Sequence, residues 1–190
     1  MKGIRNITVF CSSSDEIAAH FLQAADELGR AIAAEKWSLV YGGNRLGMMG
    51  RLADAARTGG ATVVGITPQC FVDDGYSDDL CHELIVTPDI RQRKALLEER
   101  GDAIVVLPGG IGTMEEFYEV LVAKALGRCG KPLVLVDIDE YFVPLVAMIE
   151  HGIERGFIRG RAKTLYSVAT SVHQVIAYLR SCSNGGPKPI

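Results

Sequence analysis

The sequence predicts an α/β fold in which one open parallel sheet carries helices on both faces. Short apolar runs alternate along the chain with longer stretches whose apolar residues recur at helical spacing. Some of the short runs, such as Ala103–Leu107, are apolar at every position, which is typical of strands covered on both faces. Glycine clusters follow the runs that end at Tyr41 and Leu107, and ligands bind at such strand ends in doubly wound sheets. Together these observations predict a single Rossmann-like, doubly wound parallel sheet.

The predicted strands are short runs rich in apolar and β-branched residues. In chain order they are Ile7–Cys11, Ser38–Tyr41, Ala61–Ile66, Glu83–Val86, Ala103–Leu107, Pro132–Val136 and Leu165–Val168. Helical spacing predicts helices from Asp15 to Ile32 and over about Met48–Thr58, Ile90–Arg100, Thr113–Leu126, Glu140–Glu154 and Val172–Arg180. Residues 68–80 are polar, acidic and irregular, which predicts a surface loop.

The alternation of strands and helices runs through most of the 190 residues without an internal repeat or a linker. That length suits one domain with a sizeable core. Residues 1–182 are therefore predicted to form one nucleotide-binding domain. Residues 183–190 contain two glycines and two prolines, which predicts a flexible tail.

Composition argues against several classes of partner. The formal net charge is −3, whereas a nucleic-acid-binding domain normally carries a basic surface. No apolar run reaches the length that spans a membrane, and the N-terminal residues lead directly into the first strand, so no signal peptide is expected. The five cysteines are scattered and are predicted to be reduced thiols. The four histidines lack metal-ligand spacing, so no metal site is expected. Taken together, the charge, the apolar runs and the cysteines predict a cytoplasmic protein that binds neither a membrane nor a nucleic acid.

Two glycine loops, Gly42–Gly50 and Pro108–Thr113, each join a predicted strand to a predicted helix. Glycine lets backbone N–H groups approach a ligand closely, and a helix N-terminus offers unpaired donors that suit a phosphate. Glycines also serve tight turns, but two such loops at strand ends favour phosphate binding. Neither loop is followed by Gly-Lys-Ser/Thr, and the first strand leads into Cys11–Ser14 instead of a dinucleotide-binding glycine motif. Those serines could bind phosphate or ribose, or could cap the next helix together with Asp15.

Glu116 and Arg93 are the candidate charged residues near these loops. Thr113 and Glu116 have the spacing of a capping box, which would give Glu116 a purely helical role. Alternatively, a carboxylate close to a phosphate-binding helix end reaches a bound sugar. Arg93 lies near the start of a predicted helix, where a cation is slightly unfavourable. Its presence there suggests an anionic ligand held by the planar guanidinium, although a solvated basic cluster remains the alternative.

The predicted helix that begins at Thr113 carries apolar residues on two sides. Phe117 and Leu121 belong to one stripe, whereas Val120 and Ala123 lie on another face. A helix that is apolar on two sides suggests a subunit interface.

Taken together, these motifs resemble those of the LONELY GUY family. Pro108–Glu116 matches its P-G-G-x-G-T-x-x-E motif, Arg93-Lys94 its R-K pair, and Tyr41–Gly50 its Y-G-G-x-x-x-G-x-M-G stretch. Lys131-Pro132 and residues 154–158 also fit, so the resemblance covers nearly the whole chain. Four departures from the usual family pattern are Asn44 for a third glycine, Ile90-Arg91 for Met-His, Val122-Ala123 for Thr-Trp, and the lack of a Glu-Ile pair in residues 71–80.

The resemblance implies hydrolysis of the N-glycosidic bond of a cytokinin riboside 5′-monophosphate, or of AMP, to a free adenine-type base and ribose 5-phosphate. It also implies a homodimer with the active site near the subunit interface and catalytic roles for Arg93 and Glu116, and we expect no cofactor. The substrate-binding residues that we predict are Ser12, Gly43, Gly47, Met49, Gly50, Lys94, Gly109, Gly110, Ile111, Gly112 and Thr113.

The same residues leave two alternatives to hydrolysis. A non-catalytic carrier of a nucleotide or of molybdenum cofactor, of the same superfamily, would use the same loops and charged residues for binding alone. A pyridoxal-phosphate-dependent lysine decarboxylase, a description often given to proteins of this family, would need a lysine that forms a Schiff base. Lys94, Lys124 and Lys131 have simpler interpretations as surface or phosphate-facing groups.

Overall fold

The computed structural model describes residues 3–183, and its strands form one sheet. The strands are β1 (Asn6–Phe10), β2 (Ser38–Tyr41), β3 (Val63–Pro68), β4 (Glu83–Thr87), β5 (Ala103–Val106), β6 (Leu133–Val136) and β7 (Ser167–Ala169). They lie in the order β4-β3-β2-β1-β5-β6-β7. Every neighbouring pair is parallel.

Helices connect the strands. The α-helices are α1 (Ala19–Ala34), α2 (Gly47–Thr58), α3 (Gln69–Asp73), α4 (Ile90–Arg100), α5 (Ile111–Ala125), α6 (Val143–Glu154) and α7 (Val172–Ser183), and a 3-10 helix covers Gly160–Thr164. Among residues 3–183, no helix combines the length and the apolar character needed to cross a bilayer. The predicted tail, residues 183–190, lies outside the described residues except for Ser183, which ends α7.

Two hydrophobic cores lie on opposite faces of the sheet. On one face, Ile7 and Val9 of β1 pack with residues of α1, α2 and α7. On the other face, Phe10 of β1 and Val106 of β5 pack with residues of α4, α5 and α6. Burial on both faces explains why the central strands are apolar at consecutive positions. The predicted Rossmann-like, doubly wound α/β fold is confirmed.

The winding of the sheet reverses beside β1. This strand pairs with β2 through Ile7 and Leu39, and with β5 through Ile7 and Ala103. Strands β3 and β4 continue the sheet beyond β2, and strands β6 and β7 continue it beyond β5 in the opposite direction. The loops after β1 and β5 therefore turn away from each other and leave a crevice at the carboxyl edge of the sheet. The loops after β2 and β5 are the two glycine loops, and the fold therefore gathers both at this edge.

The segment predicted as a surface loop at residues 68–80 contains regular structure, so that prediction was wrong in its first part. Pro68 pairs with Thr87 at the end of β3, and Gln69–Asp73 forms α3. A helix of five residues is too short to show an apolar period in the sequence. Helix starts also differ, because α1 begins at Ala19 and α6 at Val143.

Candidate active site

A cleft of about 360 Å³ opens at the carboxyl edge of the sheet, within the range of small-ligand sites. Its walls come from the loop after β1, from α2, α3 and α4, and from the start of α5. The sequence-predicted residues that line it are Ser12, Met49, Arg93, Lys94, Gly110, Gly112, Thr113 and Glu116. Both predicted catalytic residues are thus in one cavity with six of the predicted substrate-binding residues.

Five other predicted residues do not line this cleft: Gly43, Gly47, Gly50, Gly109 and Ile111. Two of these glycines are needed for the backbone path of the loops, because a side chain there would collide with neighbouring atoms. Gly47 has a φ of +59°, and a Cβ there would lie 2.5 Å from the carbonyl carbon of Ser13. A Cβ at Gly109 would lie 2.1 Å from the hydroxyl of Thr113. The Ile111 side chain is exposed to solvent.

Arg93 and Glu116 form a buried ion pair at the base of the cleft. Arg93 Nη1 donates to Glu116 Oε1 at 2.9 Å, and the two residues are 7% and 6% exposed. Arg93 also donates from Nε to the Ile66 carbonyl at 3.0 Å and from Nη2 to the Gly42 carbonyl at 3.4 Å. Arg93 is therefore hydrogen-bonded to the backbone of β3 and to that of the residue after β2. The alternative of a solvated basic cluster is wrong for this residue, because Arg93 is buried.

Glu116 has no capping role. Helix α5 begins at Ile111 with Gly110 as its N-cap, and no side chain caps it. Thr113 is therefore inside the first turn, and the capping-box interpretation is wrong. Burial raises the pKa of Glu116, while the Arg93 guanidinium opposes that shift. The neighbouring Cys11 is buried, and desolvation raises the pKa of its thiol, so Cys11 stays neutral beside the ion pair.

The N-terminus of α5 offers free donors to the cleft. Among the described residues, the N–H groups of Ile111, Gly112 and Thr113 have no acceptor, because the first intrahelical bond runs from Met114 to the Gly110 carbonyl. These N–H groups carry the positive end of the helix dipole. The start of α5 is therefore suited to an anion.

The N-terminus of α2 is already occupied by the protein. The Gly47 N–H donates to Asp15 Oδ1 at 2.8 Å, and the Met49 N–H donates to the Ser12 carbonyl at 3.1 Å. The sequence left open whether Asp15 and the serines cap the helix that follows them. Helix α1 has Ala18 as its N-cap without a side-chain bond, so Asp15 caps α2 instead of α1.

Lys94 lines the cleft, and its amine lies between two carboxylates. Its Nζ is 2.7 Å from Glu115 Oε1 and 2.9 Å from Glu119 Oε2. Hydrogen bonds to these carboxylates raise the pKa of Lys94, so the amine is protonated. Among the described residues, no group of three or more histidine, cysteine, aspartate or glutamate side chains could hold a metal ion.

Several cleft residues escaped the sequence interpretation. Phe71 of α3 and Ile90 of α4 add apolar wall area, and Glu115 adds a carboxylate. Ser13 and Ser14 also line the cleft, and they belong to the serines that the sequence offered as ligands of phosphate or ribose. Phe71 falls in the segment predicted as a loop, so its approach to the site depends on the short helix α3. Ile90 directly precedes the Arg-Gln-Arg-Lys stretch, and its position at a helix start was the available signal.

Comparison with known proteins places the chain in a family. A family model described as "Possible lysine decarboxylase" matches residues 49–179. A cytokinin riboside 5′-monophosphate phosphoribohydrolase of Rhodococcoides fascians is 44% identical over 179 residues, which are 93% of this chain and 90% of that protein. The chain belongs to the LONELY GUY family. Among LONELY GUY relatives, a phosphoribohydrolase of Arabidopsis thaliana is 34% identical over 92% of this chain and 81% of its own length.

Solved structures of the same fold include carriers. The molybdenum cofactor carrier protein of Chlamydomonas reinhardtii has a TM-score of 0.71 and 26% identity, with 94% of this chain and 97% of that chain covered. A molybdenum cofactor binding protein of Rippkaea orientalis has a TM-score of 0.72 at 20% identity, with 96% and 98% covered. The second likeness supports the fold alone. The LONELY GUY resemblance predicted from the motifs is confirmed by the family match and the relatives.

Proposed function

We propose that this chain hydrolyses the N-glycosidic bond of a cytokinin riboside 5′-monophosphate or of AMP, and releases a free adenine-type base and ribose 5-phosphate. Two relatives that carry this name match 93% and 92% of the chain at 44% and 34% identity. The observation that carries the proposal is the buried Arg93–Glu116 pair in a cleft whose wall includes the uncapped start of α5.

In the proposed mechanism, the 5′-phosphate binds the free N–H groups at the start of α5. That position brings the ribose close to Glu116. As the bond from the anomeric carbon to the base nitrogen breaks, its electron pair goes to the base and positive charge develops on the sugar. Water then adds its oxygen to the anomeric carbon, and the proton that the water loses ends on the released base. The Glu116 carboxylate either stabilises this charge and holds the ribose hydroxyls, or takes a proton from the water that attacks the anomeric carbon. Acid–base assistance of this kind contributes about 10²- to 10⁴-fold.

Arg93 has a positioning and an electrostatic role in this proposal. Three of its five N–H groups have partners among the described residues. Arg93 lines the cleft together with Met49, Phe71 and Ile90. Apolar walls of this kind suit the flat face of a purine, and Arg93 is placed to steady the leaving base or the phosphate.

We also propose that the protein is a homodimer. Ile111, Tyr118, Val122 and Leu126 are exposed along one side of α5, at spacings that place them on one helical stripe. On the same sheet face, Val143 and Met148 of α6 are exposed as well. Val120, which the sequence assigned to the second apolar side, is buried in the core. The stripe of Tyr118, Val122 and Leu126 is therefore the surface that a second copy would cover.

We propose a cytoplasmic location, residues 1–182 as one hydrolase domain, and no nucleic-acid partner. The free thiols of Cys11, Cys70, Cys81, Cys129 and Cys182 support a reducing compartment. The two cores share one sheet, which supports a single domain. The net charge of −3 argues against nucleic acid.

A decarboxylase that forms a Schiff base fits these residues poorly. Such a lysine reacts as a neutral amine, whereas carboxylates hold the Lys94 amine in its protonated form. Burial lowers the pKa of Lys124, but its Nζ lies against the Lys131 carbonyl outside the cleft. Neither lysine combines a neutral amine with a place in the cleft.

The test is to incubate the purified protein with AMP and with N6-isopentenyl-AMP and to measure free base and ribose 5-phosphate. We expect product from at least one nucleotide, and loss of about 10²- to 10⁴-fold in kcat for Glu116→Gln. Glu150→Gln is the matched control, because Glu150 pairs with Lys163 outside the cleft. Wild-type activity in a folded Glu116→Gln variant would refute the role of Glu116, and absence of product from both nucleotides would favour a carrier.

A further inference from the structure

We propose that Tyr141 is a positioning residue that aims a backbone donor of the second glycine loop into the cleft. The Tyr141 hydroxyl donates to the Gly109 carbonyl at 2.6 Å. Tyr141 itself does not line the cleft, whereas the next residue of the loop, Gly110, does. Tyr141 therefore contacts a residue adjacent to the cleft wall without lining the cleft itself.

The peptide geometry explains how this contact acts. The bond between Gly109 and Gly110 is trans, so the Gly109 carbonyl and the Gly110 N–H point in opposite directions from one plane. Holding the carbonyl against Tyr141 turns the Gly110 N–H away from Tyr141 and towards the cleft. Among the described residues that N–H has no acceptor, and it lies directly before the free N–H groups of α5. Gly110 thus adds a donor to the same anion-binding end.

The segment that carries Tyr141 is held in an unusual conformation. Asp139 and Glu140 have φ of 54° and 57°, a region that residues other than glycine seldom occupy. The Phe142 N–H donates to Asp137 Oδ1 at 2.7 Å, which closes the turn. Such strain persists where surrounding contacts impose it, and it is common at functional sites. Here the turn places the Tyr141 hydroxyl within hydrogen-bonding distance of the Gly109 carbonyl.

Aromatic contacts fix the ring independently of its hydroxyl. The Tyr141 ring packs edge-on against Phe21 at 6.0 Å and against Phe142 at 5.2 Å between centroids. Tyr141→Phe therefore retains the ring contacts and removes the hydrogen bond to the glycine loop. Without that bond, the Gly109–Gly110 peptide is free to rotate. The chief loss is expected in the binding of a phosphate.

The experiment compares Tyr141→Phe with Tyr166→Phe. Tyr166 also packs edge-on against a phenylalanine, at 5.7 Å from Phe117, and it lies outside the cleft. For Tyr141→Phe we expect about a five- to tenfold rise in KM for AMP, with an equal loss of affinity for ribose 5-phosphate by calorimetry. We expect kcat and the affinity for adenosine to stay close to the wild-type values, because the lost contact acts on the phosphate alone. Tyr166→Phe is expected to change none of these.

The role of Tyr141 rests on the proposed function, because that function supplies the phosphate ligand. The affinity for ribose 5-phosphate nevertheless tests Tyr141 independently of hydrolysis. A wild-type protein that binds ribose 5-phosphate but hydrolyses no nucleotide refutes the proposed function and leaves Tyr141 to be judged by affinity. An unchanged affinity of Tyr141→Phe for ribose 5-phosphate overturns the inference. An equal loss of affinity for adenosine also overturns it, since Tyr141 would then shape the whole cleft. A wild-type protein that does not bind ribose 5-phosphate overturns it as well.

Discussion

Glu116 and Arg93 lie together almost out of contact with water, and that location decides what each can do. Removing an ion from water is costly unless a partner charge and hydrogen bonds compensate. Arg93 compensates Glu116, and the carbonyls of Ile66 and Gly42 help to compensate Arg93. In this poorly solvated place a carboxylate interacts more strongly with positive charge developing on a sugar than it would in water. The cost of burial is the reason that the pKa of Glu116 is raised.

The first prediction concerns the pH dependence of hydrolysis. Both proposed roles of Glu116 need its ionised form, and burial raises its pKa above 4.5. The acid limb of kcat/KM is therefore expected to fall at a pH above 4.5. The measurement is kcat/KM for the better nucleotide across the acid and neutral range. A limb at or below the ordinary glutamate value would contradict the assignment.

The second prediction concerns the stability of Arg93→Ala. Without the guanidinium, the Glu116 carboxylate is buried without its cation, and we expect the free energy of unfolding near pH 7 to fall by about 3–5 kcal/mol. The folded-state pKa of Glu116 then lies further above 4.5, so the folded protein binds a proton more tightly than the unfolded chain. The loss is therefore largest above the folded-state pKa and shrinks as the pH falls towards 4.5.

Urea denaturation at neutral and acid pH measures this difference. Arg180→Ala is the control, because Arg180 pairs with Glu35 on the surface, where ion pairs contribute about 0–1 kcal/mol. A loss for Arg93→Ala that does not depend on pH would show that packing, and not the charge of Glu116, accounts for it.

At the scale of elements, helices α2 and α5 follow similar glycine loops but have different ends. Asp15 and the Ser12 carbonyl satisfy N–H groups at the start of α2, whereas α5 has no side-chain cap. A helix end with its donors satisfied contributes to stability, and one with free donors is available to a ligand. The start of α2 is thus hydrogen-bonded to the loop after β1. The start of α5, after the second glycine loop, is the candidate phosphate site.

The third prediction tests that division. Asp15→Ala removes the acceptor of the Gly47 N–H and is expected to lower stability by about 0.5–2 kcal/mol. For a chain of this size each kcal/mol lowers the Tm by about 2–4 °C. Thermal unfolding of Asp15→Ala and of Glu16→Ala, whose exposed side chain makes no such cap, measures the effect. Equal Tm values for the two variants would contradict a capping role for Asp15.

At the scale of the whole molecule, the chain buries both cores, and several of the apolar side chains that stay exposed lie along α5. Tyr118, Val122 and Leu126 are exposed on α5, close in sequence to the candidate catalytic residue Glu116. A contiguous apolar stripe of this kind is typical of an interaction surface. Covering it with a second copy would also bring the two clefts near the interface.

The fourth prediction is that Leu126→Asp weakens self-association. A carboxylate at the C-terminal end of this apolar stripe loses its water on association without gaining a partner, so the variant is expected to sediment as a monomer where the wild type is a dimer. Leu80→Asp is the control, because Leu80 is 68% exposed and Leu126 67%, and Leu80 belongs to the segment between α3 and β4 and not to the stripe on α5. A wild-type monomer, or a Leu126→Asp dimer, would contradict the proposed interface.

Much of the fold and part of the site could be predicted from local patterns. The continuous apolar runs gave the central strands, and the glycine loops located the edge of the sheet where the cleft lies. The short helix α3 was missed, and with it Phe71, because a helix of five residues is too short to show a helical period in the sequence. The burial of Arg93 could not be predicted from local patterns, because its partners Gly42 and Ile66 are 51 and 27 residues away in the chain.

The sequence by itself determined the order of strands and helices, the family motifs, and the residue types available for chemistry at the ends of β1, β2 and β5. These follow from local periodicity and from short motifs, which act over a few residues. Only the tertiary structure decided that Glu116 faces Arg93 and is not a helix cap, that Asp15 caps α2, and that Tyr141 reaches Gly109. Each of these depends on which distant segments share a space from which water is excluded, and that is a property of packing rather than of neighbouring residues.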